Sequence, residues 1–280
     1  MPELETDDGV TLRYTDQGDG PALVLIHGWT CTGAFFKRNV DALADRHRVI
    51  NLDLRGHGQS DKPAHGHHLA RYAKDLHGLL GALALPAPAV LGWSMGSSVI
   101  WSYLELFGAE RLGGVILVDQ SPRMFYAPDW NMGCKTIYDA ETLTTVLTAL
   151  QHDPEAVARG LVGMCSYQPV TQDEEDFFAA EIANCPPAIR TAIMVDHAHA
   201  DWRSVLPQAA VPALVVVGRR SAIFPWESCA YVGEQIPNAR TVFFEESGHM
   251  PFYEEPDRFN QVVSEWVTAL RGTPTKVAAG

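Results

Sequence analysis

At 280 residues the chain is long enough for one large domain, or for one domain with a sizeable insertion, built around a substantial core. Hydrophobic residues make up 46% and charged residues 20%, as is typical of globular proteins. The formal charge of −13 argues against nucleic acid or an anionic membrane surface as a partner, because both require basic patches. The charge says nothing about a small neutral substrate. The expected partner is a small-molecule substrate, and a homo-oligomer is left open.

The cysteines and the first residues of the chain bear on its location. The five cysteines are dispersed, without a C-x-x-C pair or a zinc-like spacing, which suits a reducing compartment. The acidic start Met1–Glu5 lacks the basic and apolar regions of a secretory signal. Apolar stretches such as Ala213–Val217 are too short to cross a bilayer. These features predict a cytoplasmic protein without a membrane anchor.

Short apolar runs recur along the chain and alternate with longer amphipathic stretches. Such runs are typical of strands buried on both faces of a parallel sheet, so the alternation predicts a doubly wound, mostly parallel α/β sheet. The predicted strands are Ala22–Ile26, Arg48–Leu52, Ala87–Leu91, Gly114–Val118, Ala213–Val217 and Thr241–Phe244. The predicted helices around them are Phe35–Ala44, Leu69–Leu83, Ser97–Leu106, Glu227–Gln235 and Pro256–Leu270.

One segment, Pro122–Leu206, has no strong strand signal. It contains instead the helix-like pieces Ala140–Leu150, Pro154–Cys165, Gln172–Ile182 and Pro187–Asp196. We interpret it as a helical cap over the carboxyl edge of the sheet, where ligands bind in such folds; the alternative is a helical layer without a substrate role. The predicted organisation is a core of residues 1–121 and 207–272, a cap of residues 122–206 and a flexible tail of residues 273–280.

The sequence Gly92-Trp93-Ser94-Met95-Gly96 matches the G-x-S-x-G pattern of a serine nucleophile. It lies directly between a predicted strand and a predicted helix, which is the context that the motif requires. The turn is tight and strained, so glycine is needed on both sides, and the N-terminal amides of the helix face a developing oxyanion. Ser94 is the predicted nucleophile; the alternative is an ordinary surface turn.

A serine hydroxyl needs a base, and His249 is the best placed of the eleven histidines. It follows the last predicted strand and precedes the last helix, which puts it at the same edge of the sheet as Ser94. The alternative is a solvated loop residue. His65, His67 and His68 look like a solvated loop, and His197 and His199 like part of the cap. Because no carboxylate-rich ligand set accompanies them, no metal site is predicted.

Two backbone amides are the candidates for the oxyanion hole. One is the amide of Met95, directly after the nucleophile. The other is the amide of Trp29 in the loop His27-Gly28-Trp29, where Gly28 lets the backbone approach closely. His27 is expected to hold this loop by hydrogen bonding.

Together with the stretch Asp53–Ser60, which reads DLRGHGQS, these motifs resemble the α/β-hydrolase superfamily. The resemblance is to its capped esterase, lactonase and cofactor-free haloperoxidase-like branch. It extends from about residue 10 to residue 270 and is weakest in the cap. It implies a structural role for Asp53 and His57 and chemistry that needs no metal or organic cofactor.

The sequence departs from this family at the acid. In most relatives an aspartate follows the next-to-last strand, but in the stretch Gly218–Pro225 of this chain Ser221 stands at that position. A hydroxyl can orient an imidazole but cannot stabilise its positive charge. Asp119 ends the strand Gly114–Val118 at the same edge, and some members of the superfamily carry the acid there. Asp119 is the predicted acid; the alternative is that it caps the turn into the cap.

These residues predict acyl transfer, with a serine hydrolase cleaving a medium-sized apolar carboxylic ester or lactone through an acyl-enzyme on Ser94. Two other functions stay open on the same scaffold. One is a cofactor-free dioxygenase or perhydrolase, and the other is a hydrolase-derived ligand receptor. The expected substrate contacts are Trp93, Phe125, Tyr126, Trp130, Met164 and Phe224.

Overall fold

The computed structural model describes residues 1–270, so the tail predicted at residues 273–280 lies outside the described residues. Within the described part, eight strands form one sheet in the order β1-β2-β4-β3-β5-β6-β7-β8. The strands are β1 (Glu3–Glu5), β2 (Thr11–Gln17), β3 (Ala22–Ile26), β4 (Arg48–Asp53), β5 (Ala89–Trp93), β6 (Gly114–Val118), β7 (Ala213–Gly218) and β8 (Ala239–Phe244). Strands β3 to β8 pair in parallel, whereas β1 and β2 are antiparallel to their neighbours. The predicted mostly parallel sheet is confirmed.

Burial explains which strands the sequence revealed. Every residue of β3, β5, β6 and β7 is buried, which matches their continuous apolar runs. The sequence analysis did not predict β1 and β2. Strand β1 has only three residues. Strand β2 alternates between half-exposed and buried positions over its first residues and has no continuous buried run. Such short or half-polar strands carry a weak sequence signal.

The described chain contains ten α-helices. They are α1 (Val40–Ala44), α2 (Leu69–Ala82), α3 (Met95–Phe107), α4 (Ala140–His152), α5 (Pro154–Cys165), α6 (Gln172–Ala183), α7 (Pro187–His199), α8 (Trp226–Gln235), α9 (Pro251–Glu254) and α10 (Pro256–Leu270). In residues 1–270, none of the helices is long and apolar enough to span a bilayer.

The single helix predicted over Phe35–Ala44 is wrong. The chain forms a 3₁₀ turn over Gly33–Phe36 and a separate short helix, α1. The side chain of Asn39, between them, donates its amide hydrogens to the carbonyl of Phe252 and to the side chain of Asn260, both at 2.8 Å. These long-range bonds hold Asn39 outside helical geometry, at φ −121°.

Helices α4 to α7 lie between the neighbouring strands β6 and β7, inside the segment predicted as an insertion. Polar residues begin three of them. Asp139 and Thr171 form capping boxes with Thr142 and Glu174, and Asp153 caps α5. Helix α7 packs against α4 and against α2 of the core. The segment is thus a set of short helices, three of them capped by side chains, that contacts the rest of the fold through α7.

Candidate active site

Ser94 occupies a strained turn between β5 and α3. Its backbone has φ 54° and ψ −124°, a conformation that side-chain-bearing residues rarely adopt. A Cβ on Gly92 would lie 2.3 Å from the carbonyl of Gly96, and one on Gly96 would lie 2.4 Å from the carbonyl of Ile26. Both glycines are therefore required by close backbone approach, and the turn presents Ser94 at the carboxyl edge of the sheet.

Backbone hydrogen bonds fix this turn to the neighbouring strand. The Ser94 N–H donates to the carbonyl of Val118 at 2.9 Å, at the end of β6. The carbonyl of Ser94 accepts from the N–H of Ser97 at 2.8 Å, and the Ser97 hydroxyl donates to the carbonyl of Gly92 at 2.7 Å. The nucleophile candidate is thus hydrogen-bonded directly to the strand that precedes Asp119.

The loop after β3 meets this turn from the other side. A Cβ on Gly28 would lie 3.2 Å from the Cβ of Ser94, so the two loops are in close contact at this point. Trp29 follows, and its indole donates to the carbonyl of Arg190 at 2.9 Å. Met95 is the first residue of α3, and the first N–H groups of a helix have no partner within it. Of the two predicted oxyanion amides, that of Trp29 therefore belongs to the loop that contacts the Ser94 turn, and that of Met95 begins α3.

His249 and Asp119 are hydrogen-bonded. His249 Nδ1 lies 2.7 Å from Asp119 Oδ2, and both side chains are almost completely buried. The other carboxylate oxygen, Oδ1, accepts from the N–H of Gly218 at 3.0 Å. Asp119 itself has φ 45°, and its N–H donates to the carbonyl of Val216 at 2.9 Å. Three strand ends, those of β6, β7 and β8, therefore converge on this pair.

Ser221, at the position of the acid in most relatives, has different partners. Its hydroxyl accepts from the N–H of Phe224 at 3.4 Å, and its carbonyl accepts from the Lys135 ammonium at 2.6 Å. Ser221 is buried in the turn after β7. The carboxylate that meets the imidazole is therefore the one at the end of β6.

The loop that carries His249 is held by the insertion and by α9. The His249 N–H donates to the carbonyl of Cys165, the last residue of α5, at 2.9 Å. The His249 carbonyl accepts from the indole of Trp93 at 2.8 Å. A further residue of this loop's surroundings, Glu254, was not predicted from the sequence. Its Oε2 accepts at 2.7 Å from the N–H of Gly248, the residue before His249.

Glu254 also binds the insertion. Its Oε1 accepts from the N–H groups of Tyr167 and Gln168 at 2.7 and 2.8 Å and from the hydroxyl of Ser166 at 3.1 Å. Burial raises the pKa of this carboxyl above its ordinary value, while the four hydrogen bonds oppose that rise. One side chain thus joins the histidine loop to the segment after α5.

A cavity of about 100 Å³ opens between the sheet edge and the inserted helices. Ser94, His249 and Trp29 line it, and so do three of the predicted substrate contacts, Trp93, Met164 and Phe224. The remaining lining residues are Gly28, Cys31, Met124, Cys134, Thr136, Ile137, Val146, Val157, Leu161, Cys165, Met194, His197 and Ile223. The lining is mainly apolar, and among the described residues no Lys, Arg, Asp or Glu belongs to it.

The other three predicted substrate contacts, Phe125, Tyr126 and Trp130, do not belong to the lining of this cavity. Each packs elsewhere. Phe125 packs against His199 with a ring separation of 4.9 Å, the half-exposed Tyr126 stacks on Tyr138 at 5.1 Å, and Trp130 meets Tyr231 at 5.1 Å.

His27, Asp53 and His57 hold loops. Nε2 of His27 accepts from the N–H of Leu54 at 3.1 Å, and the Asp53 carboxylate accepts from the N–H groups of Gly33 and Gln59 at 2.7 and 2.8 Å. Burial lowers the pKa of His27 and of His57. Both therefore stay neutral at pH 7. Within residues 1–270 no group of three or more His, Cys, Asp or Glu side chains is arranged to hold a metal ion.

Comparison with known proteins finds similarity over nearly the whole chain. The model of the alpha/beta hydrolase family matches residues 23–262. The AB hydrolase superfamily protein YisY of Bacillus subtilis is 26% identical over 267 residues, which cover 94% of this chain and 97% of that protein. A pimeloyl-(acyl-carrier protein) methyl ester esterase of Nitrosomonas europaea is 30% identical over 259 residues, with 89% and 96% covered. The solved structure of an esterase (EaEST) from Exiguobacterium antarcticum has the same fold, with a TM-score of 0.91 at 24% identity and coverage of 95% and 98%.

Proposed function

The chain belongs to the alpha/beta hydrolase family, and on that premise we propose that it is a serine hydrolase of carboxylic esters or lactones that acts through an acyl-enzyme on Ser94. The observation that carries this proposal is the 2.7 Å hydrogen bond between His249 and Asp119, made by an imidazole that lines the same cavity as the strained Ser94.

His249 is the general base. An ionised Asp119 can only accept a hydrogen bond, so the ring proton belongs on Nδ1 and leaves Nε2 free to take the proton of the Ser94 hydroxyl. The imidazolium formed in this step is stabilised by the carboxylate, and this stabilisation is strong because both groups are shielded from water. Asp119, after β6, thus takes the role of the acid that follows the next strand in most relatives.

The serine oxygen then attacks the carbonyl carbon, and the carbonyl oxygen becomes an oxyanion. The N–H groups of Trp29 and Met95 donate to it, and the N-terminus of α3 adds its dipole. The alcohol leaves with the proton from His249. A water molecule, deprotonated by His249, attacks the acyl-enzyme, and the carboxylic acid is released as Ser94 recovers its proton.

The lining of the cavity supports an apolar substrate. It is built from Met, Val, Leu, Ile and aromatic side chains without charged groups among the described residues. The similar protein of Nitrosomonas europaea is named for a methyl ester, which supports a carboxylic ester as the bond that is cleaved.

We further propose that residues 122–206 act as a cap on a core of residues 1–121 and 207–272. The support is that α4, α5 and α7 supply Val146, Leu161 and Met194 to the cavity that also contains Ser94. A roof of this kind excludes water from the acyl-enzyme and shapes the space for the substrate.

The test is a panel of p-nitrophenyl esters and lactones, with Ser94→Ala beside the wild type. We expect turnover that Ser94→Ala abolishes. Ser98→Ala is the matched control, because its hydroxyl is buried on α3 and has no hydrogen-bond partner within residues 1–270; it should retain turnover. Oxygen uptake with an aromatic substrate would instead indicate the dioxygenase, and tight binding without turnover would indicate a receptor.

A further inference from the structure

One polar side chain in the apolar cavity has no role in the proposed reaction. His197, on α7, is 3% exposed and lines the cavity together with Ser94. Its Nδ1 is buried without a hydrogen-bond partner, and the ring makes no hydrogen bond within residues 1–270. The buried ring of His27, by contrast, uses both nitrogens, one with the carbonyl of Gly28 and one with the N–H of Leu54.

A buried ring nitrogen without a partner is costly, because Nδ1 of His197 has lost its hydrogen bond to water and gained none in return. Burial also lowers the pKa of His197 to about 4, so the ring is neutral at pH 7. A neutral imidazole donates from one nitrogen and accepts at the other. The ring is therefore equipped to bind a group that enters the cavity with the substrate.

We propose that His197 is a specificity residue that hydrogen-bonds a hydroxyl group carried by the substrate at a distance from the ester that is cleaved. A hydroxyl fits best because it donates and accepts, and so it pairs with either tautomer of the ring. An anionic group is disfavoured, since the described lining has no Lys or Arg to balance its charge. This inference rests on the proposed ester hydrolysis and specifies its substrate as a hydroxy-substituted ester.

The kinetic test compares methyl hexanoate with its 2-, 3- and 6-hydroxy derivatives, and hexyl acetate with 6-hydroxyhexyl acetate, so that both sides of the ester are probed. In the wild type at least one hydroxy ester should exceed its parent in kcat/KM by about 10-fold or more. In His197→Leu this ratio should fall to about one. His199→Leu is the matched control, because His199 lies exposed on the same helix outside the cavity lining, and it should keep the wild-type ratio.

A binding measurement separates this inference from the proposed function. Titration calorimetry of the same esters into Ser94→Ala, and into Ser94→Ala with His197→Leu, reads the hydroxyl preference without turnover. We expect the preferred hydroxy ester to bind about 10-fold tighter than its parent only when His197 is present. Such binding without any hydrolysis by the wild type would overturn the proposed reaction alone. Equal binding of hydroxy and parent esters, or a preference that survives His197→Leu, would overturn the role of His197.

Discussion

The imidazole of His249 is hydrogen-bonded at 2.7 Å to the carboxylate of Asp119, which precedes it by 130 residues and directly follows β6. The other oxygen of this carboxylate accepts from the N–H of Gly218, the last residue of β7. The next strand therefore contributes an amide that orients the acid, while Ser221, in the turn after β7, bonds to Phe224. The carboxylate that contacts the imidazole thus follows β6 and not β7.

Asp119→Asn should lower kcat/KM by about 10²- to 10⁴-fold with the fold intact. If the asparagine oxygen keeps its bond to the N–H of Gly218, its NH₂ group faces Nδ1 of His249. Nδ1 must then accept, so the ring proton moves to Nε2, and the ring cannot take the proton of Ser94. The measurement is steady-state kinetics on p-nitrophenyl esters, with circular dichroism to verify folding.

Ser221→Ala is the comparison for this variant, and it should change kcat/KM by less than about 3-fold, because the hydroxyl accepts only a long bond from Phe224. A larger loss in Ser221→Ala than in Asp119→Asn would contradict the placement of the acid.

The sequence was informative where chemistry depends on local geometry. The turn at Ser94 is determined by Gly92 and Gly96, whose missing side chains leave room for the backbone, so a short pattern sufficed to predict it. Asp119 could be predicted because Ser221 stands at the usual place of the acid and Asp119 ends a strand at the same edge. Glu254 carried no such signal, since its role arises from bringing together Gly248 and Tyr167, which are far apart in the chain.

The lining of the cavity was predictable only in part, because the tertiary structure determines which residues reach the cavity. Trp93 and Phe224 lie beside motifs whose position in the sheet is known, whereas Tyr126 lies on a connection whose direction the sequence does not reveal. Much of the lining comes instead from aliphatic residues such as Val146 and Leu161, on one face each of α4 and α5. Any amphipathic helix has such a face, so nothing in the sequence distinguishes these residues from ordinary core residues.

Gly92→Ala should destabilise the protein by about 3 kcal/mol or more and abolish activity, because the new Cβ would meet the Gly96 carbonyl at 2.3 Å and backbone atoms cannot move aside cheaply. Urea unfolding measures the loss. Gly78→Ala is the control: at this exposed position of α2 its Cβ would meet nothing within 4 Å, so it should raise stability by up to about 1 kcal/mol. Equal stability of the two variants would argue against a strained turn.

Glu254→Gln should lower kcat by about 10- to 100-fold with a smaller change in KM, because the histidine loop would shift. The carboxylate accepts from Gly248 on one oxygen and from Tyr167 and Gln168 on the other, and an amide must turn its NH₂ group toward one of these donors. Glu246→Gln makes the same charge change at an exposed position of the same loop and should have little effect. If the two variants behaved alike, Glu254 would have no positioning role.

His197 should make stability depend on pH. Its pKa is about 4 in the folded chain, against an ordinary value of 6.5, so between these values the unfolded chain binds a proton that the folded chain does not. The free energy of unfolding is therefore unaffected by protonation of His197 above pH 6.5, and it decreases as the pH falls from 6.5 toward 4. From pH 7 to pH 5, the wild type should lose about 2 kcal/mol more unfolding free energy than His197→Leu. Urea titrations at both pH values measure this difference; identical losses would show that the ring is protonated in the fold.

The central claim, a Ser94 hydroxyl activated by His249, is tested most directly by fluorophosphonate labelling followed by peptide mass mapping. The wild type should carry one phosphonyl group on the peptide that contains Ser94. His249→Ala should be labelled at least about 100-fold more slowly, because loss of a general base lowers the rate by this order of magnitude. Ester hydrolysis by a wild-type protein that carries no label on Ser94, or labelling that is equally fast in His249→Ala, would contradict the account.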